Sequence, residues 1–341
     1  MTNLRQSKLW QNATIVCLIL GLAISITFAV TIGPAGISAT DVWSAILHHL
    51  GLAPNPLGEL RDGIVWQLRL PRVLTAAAVG AGLALAGVLM QAVTRNPLAD
   101  PYLLGLSSGA SLGAVAVLLL GLTVLLPVAA FIGALVALGL TLVLAGAFGR
   151  ITPGRTILAG IAVSALAGAV TSLVIFWTVT GDSYREILGW LLGSLAGARW
   201  TSVWIVVVAL IIAGIPLMFT GRILDSFAFG DVSAAALGVN VQAARWSLLS
   251  ASTLLTAAMV SVSGSIGFVG LILPHAVRLL TGPRHKLLLP LSALLGATFL
   301  VWADTAARSL FEPRELPVGI VTAIIGAPVF ATLLATRRAE S

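Results

Sequence analysis

Few residues in this sequence could make or break bonds. Its cysteine, histidine and carboxylate side chains come to one, four and 12 among 341 residues. No G-x-x-x-x-G-K-S/T loop is present to cradle phosphates on backbone amides, so the chain does not itself hold ATP as the P-loop enzymes do. HExxH and CxxC are missing too, which removes the common zinc and redox constellations. His48 and His49 are adjacent, and adjacent side chains diverge on a helix and on a strand alike, so they make a poor metal pair. Cys17 has no second cysteine to bridge and sits in an apolar run, where packing is its expected part.

The charges within the apolar runs are equally sparse. A carboxylate inside a membrane segment is costly and marks an ion-coupled carrier. Here only Asp100, Asp304 and Arg278 come close, each near the end of an apolar run and expected at an interface. A carrier driven by its own proton relay is therefore disfavoured, and an energy source on a partner is favoured. A docking surface for such a partner is offered by Arg222–Ala244, RILDSFAFGDVSAAALGVNVQAA. It reads as two short helices broken at Gly230 and Gly238, with Asp231 or Ser233 placed to cap the second. A plain connector is the alternative.

The elements that carry these residues follow from composition. Apolar residues make up 58% of the chain and charged residues 9%, against about 45–50% and about 25% in soluble domains. That excludes a soluble enzyme, a disordered chain and, despite a net charge of +7, a nucleic-acid-binding module. At about 20 residues per crossing, ten spans are expected, near 14–33, 72–93, 103–125, 127–148, 156–179, 201–220, 246–263, 266–281, 287–306 and 317–335. Ile187–Ala198 is too short to cross and reads as a surface half-helix. The first apolar run exceeds the length of a signal-peptide core, so it is read as a retained helix.

With the N-terminus inside, 12 of the 19 basic residues fall on the cytoplasmic side and 7 on the other, which obeys the positive-inside rule and puts both ends in the cytoplasm. Five spans per half would force any internal repeat to be inverted, although the halves share no evident identity. The 35 glycines fit close helix packing in lipid.

Three long phrases carry a family resemblance: LRLPRVLTAAAVGAGLALAGVLMQAVTRNPLADPYLLGLSSGASLG (Leu68–Gly113), GSIGFVGLILPHAVRLLTGPRHKLLLPLSALLGATFLVWADTAAR (Gly264–Arg308) and ELPVGIVTAIIGAPVF (Glu315–Phe330). The chain resembles the FecCD-type permease subunits of bacterial ABC importers for iron–siderophore, haem and cobalamin complexes, from about Asp41 to Leu334.

The resemblance implies an all-α polytopic membrane protein, a single permease domain over residues 1–341 with the type II ABC importer fold. It implies an inner-membrane location, a second permease (identical or sister) and two cytoplasmic ATPases that bind ATP and Mg. It also implies an external binding protein, and no cofactor, metal or catalytic residue on this chain. By the same resemblance Asp225, Phe227, Gly230, Asp231, Leu237 and Gly238 belong to the coupling helices that seat in the ATPase. Arg69, Arg72 and Arg308 meet acidic residues of the binding protein, as arginine's planar fork suits carboxylates. Thr152, Pro153 and Gly154 stand at the cytoplasmic gate, where proline and glycine speak against a constriction built of hydroxyls. An iron–siderophore complex is the expected cargo, with haem and cobalamin behind. The rivals are an ion-coupled carrier acting alone and an ABC permease for free metal ions.

Overall fold

A computed structural model describes residues 8–54, 57–147, 152–178, 181–311 and 313–338. Its helices are, in order, α1 (Lys8–Thr31), α2 (Ala39–His49), α3 (Glu59–Gly63), α4 (Leu70–Thr94), α5 (Leu106–Leu119), α6 (Leu126–Ala147), α7 (Pro153–Thr178) and α8 (Gly181–Leu191). They continue as α9 (Trp200–Ala209), α10 (Ile215–Met218), α11 (Gly221–Phe227), α12 (Asp231–Ala236), α13 (Val241–Ser263), α14 (Val269–Thr281), α15 (His285–Ser309) and α16 (Val318–Arg338). No strand occurs among the described residues. In lipid this is the expected outcome, because a helix satisfies its own backbone polar groups where no water can.

Among the described residues, seven helices are long and apolar enough to cross a membrane, and the apolar helices α5, α14 and α16 accompany them. Together they match the ten expected runs, with α5 and α14 cut short. The span between 266 and 281 loses its start because Gly264 to Phe268 is unwound inside the bundle. The Tyr102 hydroxyl donates to the Ile266 carbonyl at 3.0 Å, a side-chain substitute for the missing helical bond. Trp200–Met218 crosses as α9 and α10 joined by a π turn at Leu210–Gly214, just before Pro216, whose ring cannot continue a regular ladder. The half-helix expected at Ile187–Ala198 is α8, which lies earlier and ends at Leu191, where the chain turns through Gly193.

The bundle is built around α4: 89% of its most apolar stretch is buried, against 17% for α1. Its small residues make this possible. A Cβ on Gly80 would run into the Gly296 carbonyl of α15, and one on Gly296 would meet the Gly80 carbonyl, so the two backbones touch. Such contact replaces the hydrophobic drive that lipid does not supply. Helices α4 and α15 thus form a central pair that reaches from the face carrying α2, α3 and α8 to the face carrying α11 and α12.

Candidate functional site

On the α2 face, the helix entering the bundle does not run straight from α3 into α4. A π turn at Ile64–Arg69 joins them, adding a residue to the turn and re-aiming the side chains around it. Arg69 points inward and donates from Nη1 to the carbonyls of Val30 at 2.9 Å and Thr31 at 3.0 Å. Arg308, near the end of α15, donates to the Ile32 carbonyl at 2.7 Å and to the Ala29 carbonyl. These oxygens are the unpaired C-terminal carbonyls of α1 and the residue after it, so two guanidinium groups cap that helix. Cations there also suit the negative end of its dipole.

Arg72 takes a different part. Its Nε donates to both Asp304 oxygens at 2.9 and 3.2 Å, its Nη2 donates to Asp304 at 3.0 Å, and its Nη1 donates to Glu315 Oε2 at 2.7 Å. Asp304 is not the interfacial carboxylate expected from its place near a span end. It is buried, and the three bonds from Arg72 are what make that tolerable. All three candidate docking arginines are therefore partnered within the chain, which the sequence alone did not reveal. The nearest signal was Asp304 standing one helical turn before Arg308, and the two approach to 3.9 Å.

Further contacts order α2 and its surroundings on this face. Ser38 and Asp41 form a capping box at its start. At its end His49 stacks on Trp66 at 4.1 Å and its Nε2 lies 2.9 Å from Asp62. Trp66 in turn packs against Trp200, whose ring nitrogen donates to the Trp66 carbonyl. The neighbouring His48 ring turns away, 71° from that of His49, with Nδ1 3.3 Å from the Ala53 carbonyl.

On the opposite face, the expected pair of short helices is present as α11 and α12. Gly230 (φ 91°) and Gly238 (φ 83°) break the chain in left-handed conformations that other residues resist. The capping expectation is corrected: the N-cap of α12 is Gly230 itself, without a side-chain cap. Asp231 instead accepts from Arg245 Nη2 at 2.9 and 3.0 Å, with Arg95 Nη2 at 3.7 Å. Phe227 is buried beneath, its ring centroid 5.8 Å from the Arg245 guanidinium.

Asp225 accepts from the His285 backbone N–H at 3.0 Å and lies 2.7 Å from its Nδ1. It thus satisfies a free donor at the start of α15 from another helix. These pairings tie the two short helices to α4, α13 and α15. Three large apolar side chains are left outward: Leu237, together with Phe229 and Val232, is largely exposed. The last two were missed in the sequence, although an apolar residue on each side of the Gly230–Asp231 break is the pattern of an unsatisfied face.

Of the gate candidates, Thr152 precedes α7, with its carbonyl accepting the Thr156 N–H at 3.0 Å. Pro153 opens the helix and Gly154 is exposed. The first part of that loop, 149–151, lies outside the described residues. Thr152 and Thr156 line a crevice with Met90, Gln242, Arg245 and Trp246, so one gate candidate, Thr152, shares that crevice with the Arg245 that contacts α12.

Gly105–Gly109 spells G-x-S-x-G, the letters of a hydrolase nucleophile elbow. The context is wrong for one: a 3-10 turn precedes it rather than a strand, and the Ser107 hydroxyl donates to Ser265 Oγ at 2.8 Å. Among the described residues, no three of His, Cys, Asp and Glu gather as metal ligands.

Against known proteins, the model of the FecCD transport family matches residues 21–336. The chain belongs to the FecCD transport family. YvrB of Bacillus subtilis (strain 168), an ABC transporter permease protein, is 42% identical over 92% of this chain and 90% of its own length. The cobalamin import system permease BtuC of Halobacterium salinarum is 44% identical, covering 85% of this chain and 78% of that protein. A solved metal-chelate type ABC transporter in an inward-facing conformation superposes with a TM-score of 0.84 at 33% identity, covering 95% of this chain and 99% of that one. This FecCD chain is thus a multi-pass permease of the ABC-importer kind, and its two charged clusters lie at opposite ends of that fold.

Proposed function

We propose that this FecCD permease carries a bulky metal chelate (an iron–siderophore complex, haem or cobalamin) inward across the cytoplasmic membrane. It works between an external binding protein and two cytoplasmic ATPases that hold ATP and Mg. The α11–α12 segment faces the cytoplasm with both chain ends and seats in an ATPase, and the α2 face receives the binding protein. A second permease, identical or sister, completes the pathway. The exposed apolar faces of α7 and α16 are available to it or to lipid.

The observation that carries this reading is the build of α11–α12. Asp225 and Asp231 are paired with His285 of α15, Arg245 of α13 and Arg95 after α4 while Phe229, Val232 and Leu237 are left outward, so a push on the apolar side chains reaches α4, α13 and α15. An ion-coupled carrier fits less well: Asp304 is the only fully buried carboxylate among the described residues, and it is committed to Arg72. A free-metal permease lacks support because no ligand cluster gathers along the described spans.

The test is a Leu237→Cys variant carrying a cysteine-reactive crosslinker, co-expressed with the importer's ATPase. An ATPase adduct that disappears when Phe229 and Val232 are also changed to Asp supports the reading. Labelling of Leu237→Cys by a membrane-impermeant reagent from outside the cell would refute it.

A further inference from the structure

The two carboxylates on Arg72 are unequal. The Asp304 side chain is 1% exposed and Glu315 is 48% exposed. Asp304 cannot leave, because a bare carboxylate in that position would carry a desolvation penalty of several kcal/mol. Glu315 can leave into water with little loss, since exposed ion pairs contribute little. The other two arginines have no comparable freedom: moving Arg69 or Arg308 would uncover the carbonyls that end α1. One donor atom of the cluster, Arg72 Nη1, is therefore both strongly cationic and held by a replaceable partner.

Resting on the reading that the α2 face docks an acidic binding protein, we propose that Glu315 is a stand-in for the docking partner. It holds Arg72 Nη1 in the resting permease, and a carboxylate on the incoming protein takes its place. Arg72 stays in position throughout because Asp304 grips the Nε and Nη2 edge of its guanidinium. The exchange conserves charge at Arg72, so no buried cation is exposed during docking.

It also has a consequence beyond binding. Glu315 lies on the short link between α15 and α16, and the Leu316 N–H donates to the Ala307 carbonyl at 3.0 Å, which keeps that backbone in place. Only the Glu315 side chain needs to move. It already lines an open cavity with Arg185, Leu192, Ser194 and Pro317, and its release leaves an unpaired negative charge on that wall. Docking and the electrostatics of the cavity are thereby linked through one side chain.

The test measures docking of the importer's own cargo-free binding protein to the intact permease in lipid nanodiscs, for Glu315→Gln and for Glu59→Gln. The second variant removes the same charge from the same face, away from Arg72. Removing the competitor should tighten docking about two- to fivefold, the range expected from losing one exposed ion pair, and Glu59→Gln should not. In a background of Arg72→Gln with Asp304→Asn, which neutralises the buried pair together so that neither charge is stranded, Glu315→Gln should have no effect.

Unchanged or weaker docking by Glu315→Gln alone overturns the exchange, as does tightening that survives in the neutral background. Wild-type docking affinity in the neutral background would instead remove Arg72 from the interface and overturn the docking reading itself.

Discussion

Replacing Asp304 with Ala takes away the three hydrogen bonds that Arg72 donates to it, at 2.9, 3.0 and 3.2 Å. The guanidinium stays nearly buried, with only Glu315 to face. Stranding one member of a buried ion pair destabilises by about 3–5 kcal/mol, and the surviving half-exposed bond to Glu315 offsets about 1 kcal/mol of that. A net loss of roughly 2–4 kcal/mol is expected, read from SDS-driven unfolding in mixed micelles by tryptophan emission. The companion variant changes both residues, Arg72→Met with Asp304→Leu. Because a buried pair replaced by apolar side chains of similar volume is often neutral, this double variant should return to within about 1 kcal/mol of the parent. A single variant costing less than about 1 kcal/mol, or a double variant as unstable as the single, would refute the assignment of Asp304 as the buried anchor of Arg72.

Other expectations follow from the same contacts. Gly80→Leu must force α4 and α15 apart at their backbone contact, so the yield of folded protein in detergent should collapse; near-parent yield and melting would contradict the close approach. Changing Phe229, Val232 and Leu237 together to Asp leaves the inward pairings untouched and should weaken ATPase capture at least about 30-fold, the scale of a buried interface cluster, with unfolding unchanged; calorimetric titration reads this directly. The Ser38 amide, more than its hydroxyl, holds the Asp41 carboxyl below its ordinary value. The capping box should therefore stabilise α2 above the ordinary carboxylate range and fail as pH falls through the lowered folded value. Amide protection in α2, taken relative to the intrinsic exchange rate at each pH, should fall there in the parent but not in Asp41→Asn.

The membrane class, the approximate span positions and the two short helices were legible in the sequence because each rests on a local signal. Apolar runs of about 20 residues and glycines at chain breaks need no tertiary knowledge. The truncated start of α14 was not legible: Gly264–Phe268 is apolar enough to read as helix, and what unwinds it is packing against Tyr102 and the turn at Gly193. Nor could the arginines be sorted in advance. Arg69, Arg72 and Arg308 look alike as letters, yet a π turn and the end of α1 assign two of them to helix capping and one to an ion pair with residues 232 and 243 positions away. For Asp231, the local rule suggested a cap, and the long-range contact to Arg245 prevailed because a guanidinium offers a charged acceptor more than a backbone amide does.

The central claim is that this permease has no energy source of its own and is driven through α11 and α12 by a separate ATPase. Uptake of a radiolabelled ferric siderophore, haem or cobalamin into proteoliposomes tests it most directly, with the permease reconstituted alone or with its binding protein and ATPase. The account predicts accumulation of one of these chelates only in the complete assembly with ATP. Accumulation by the permease alone under an imposed proton gradient would contradict it.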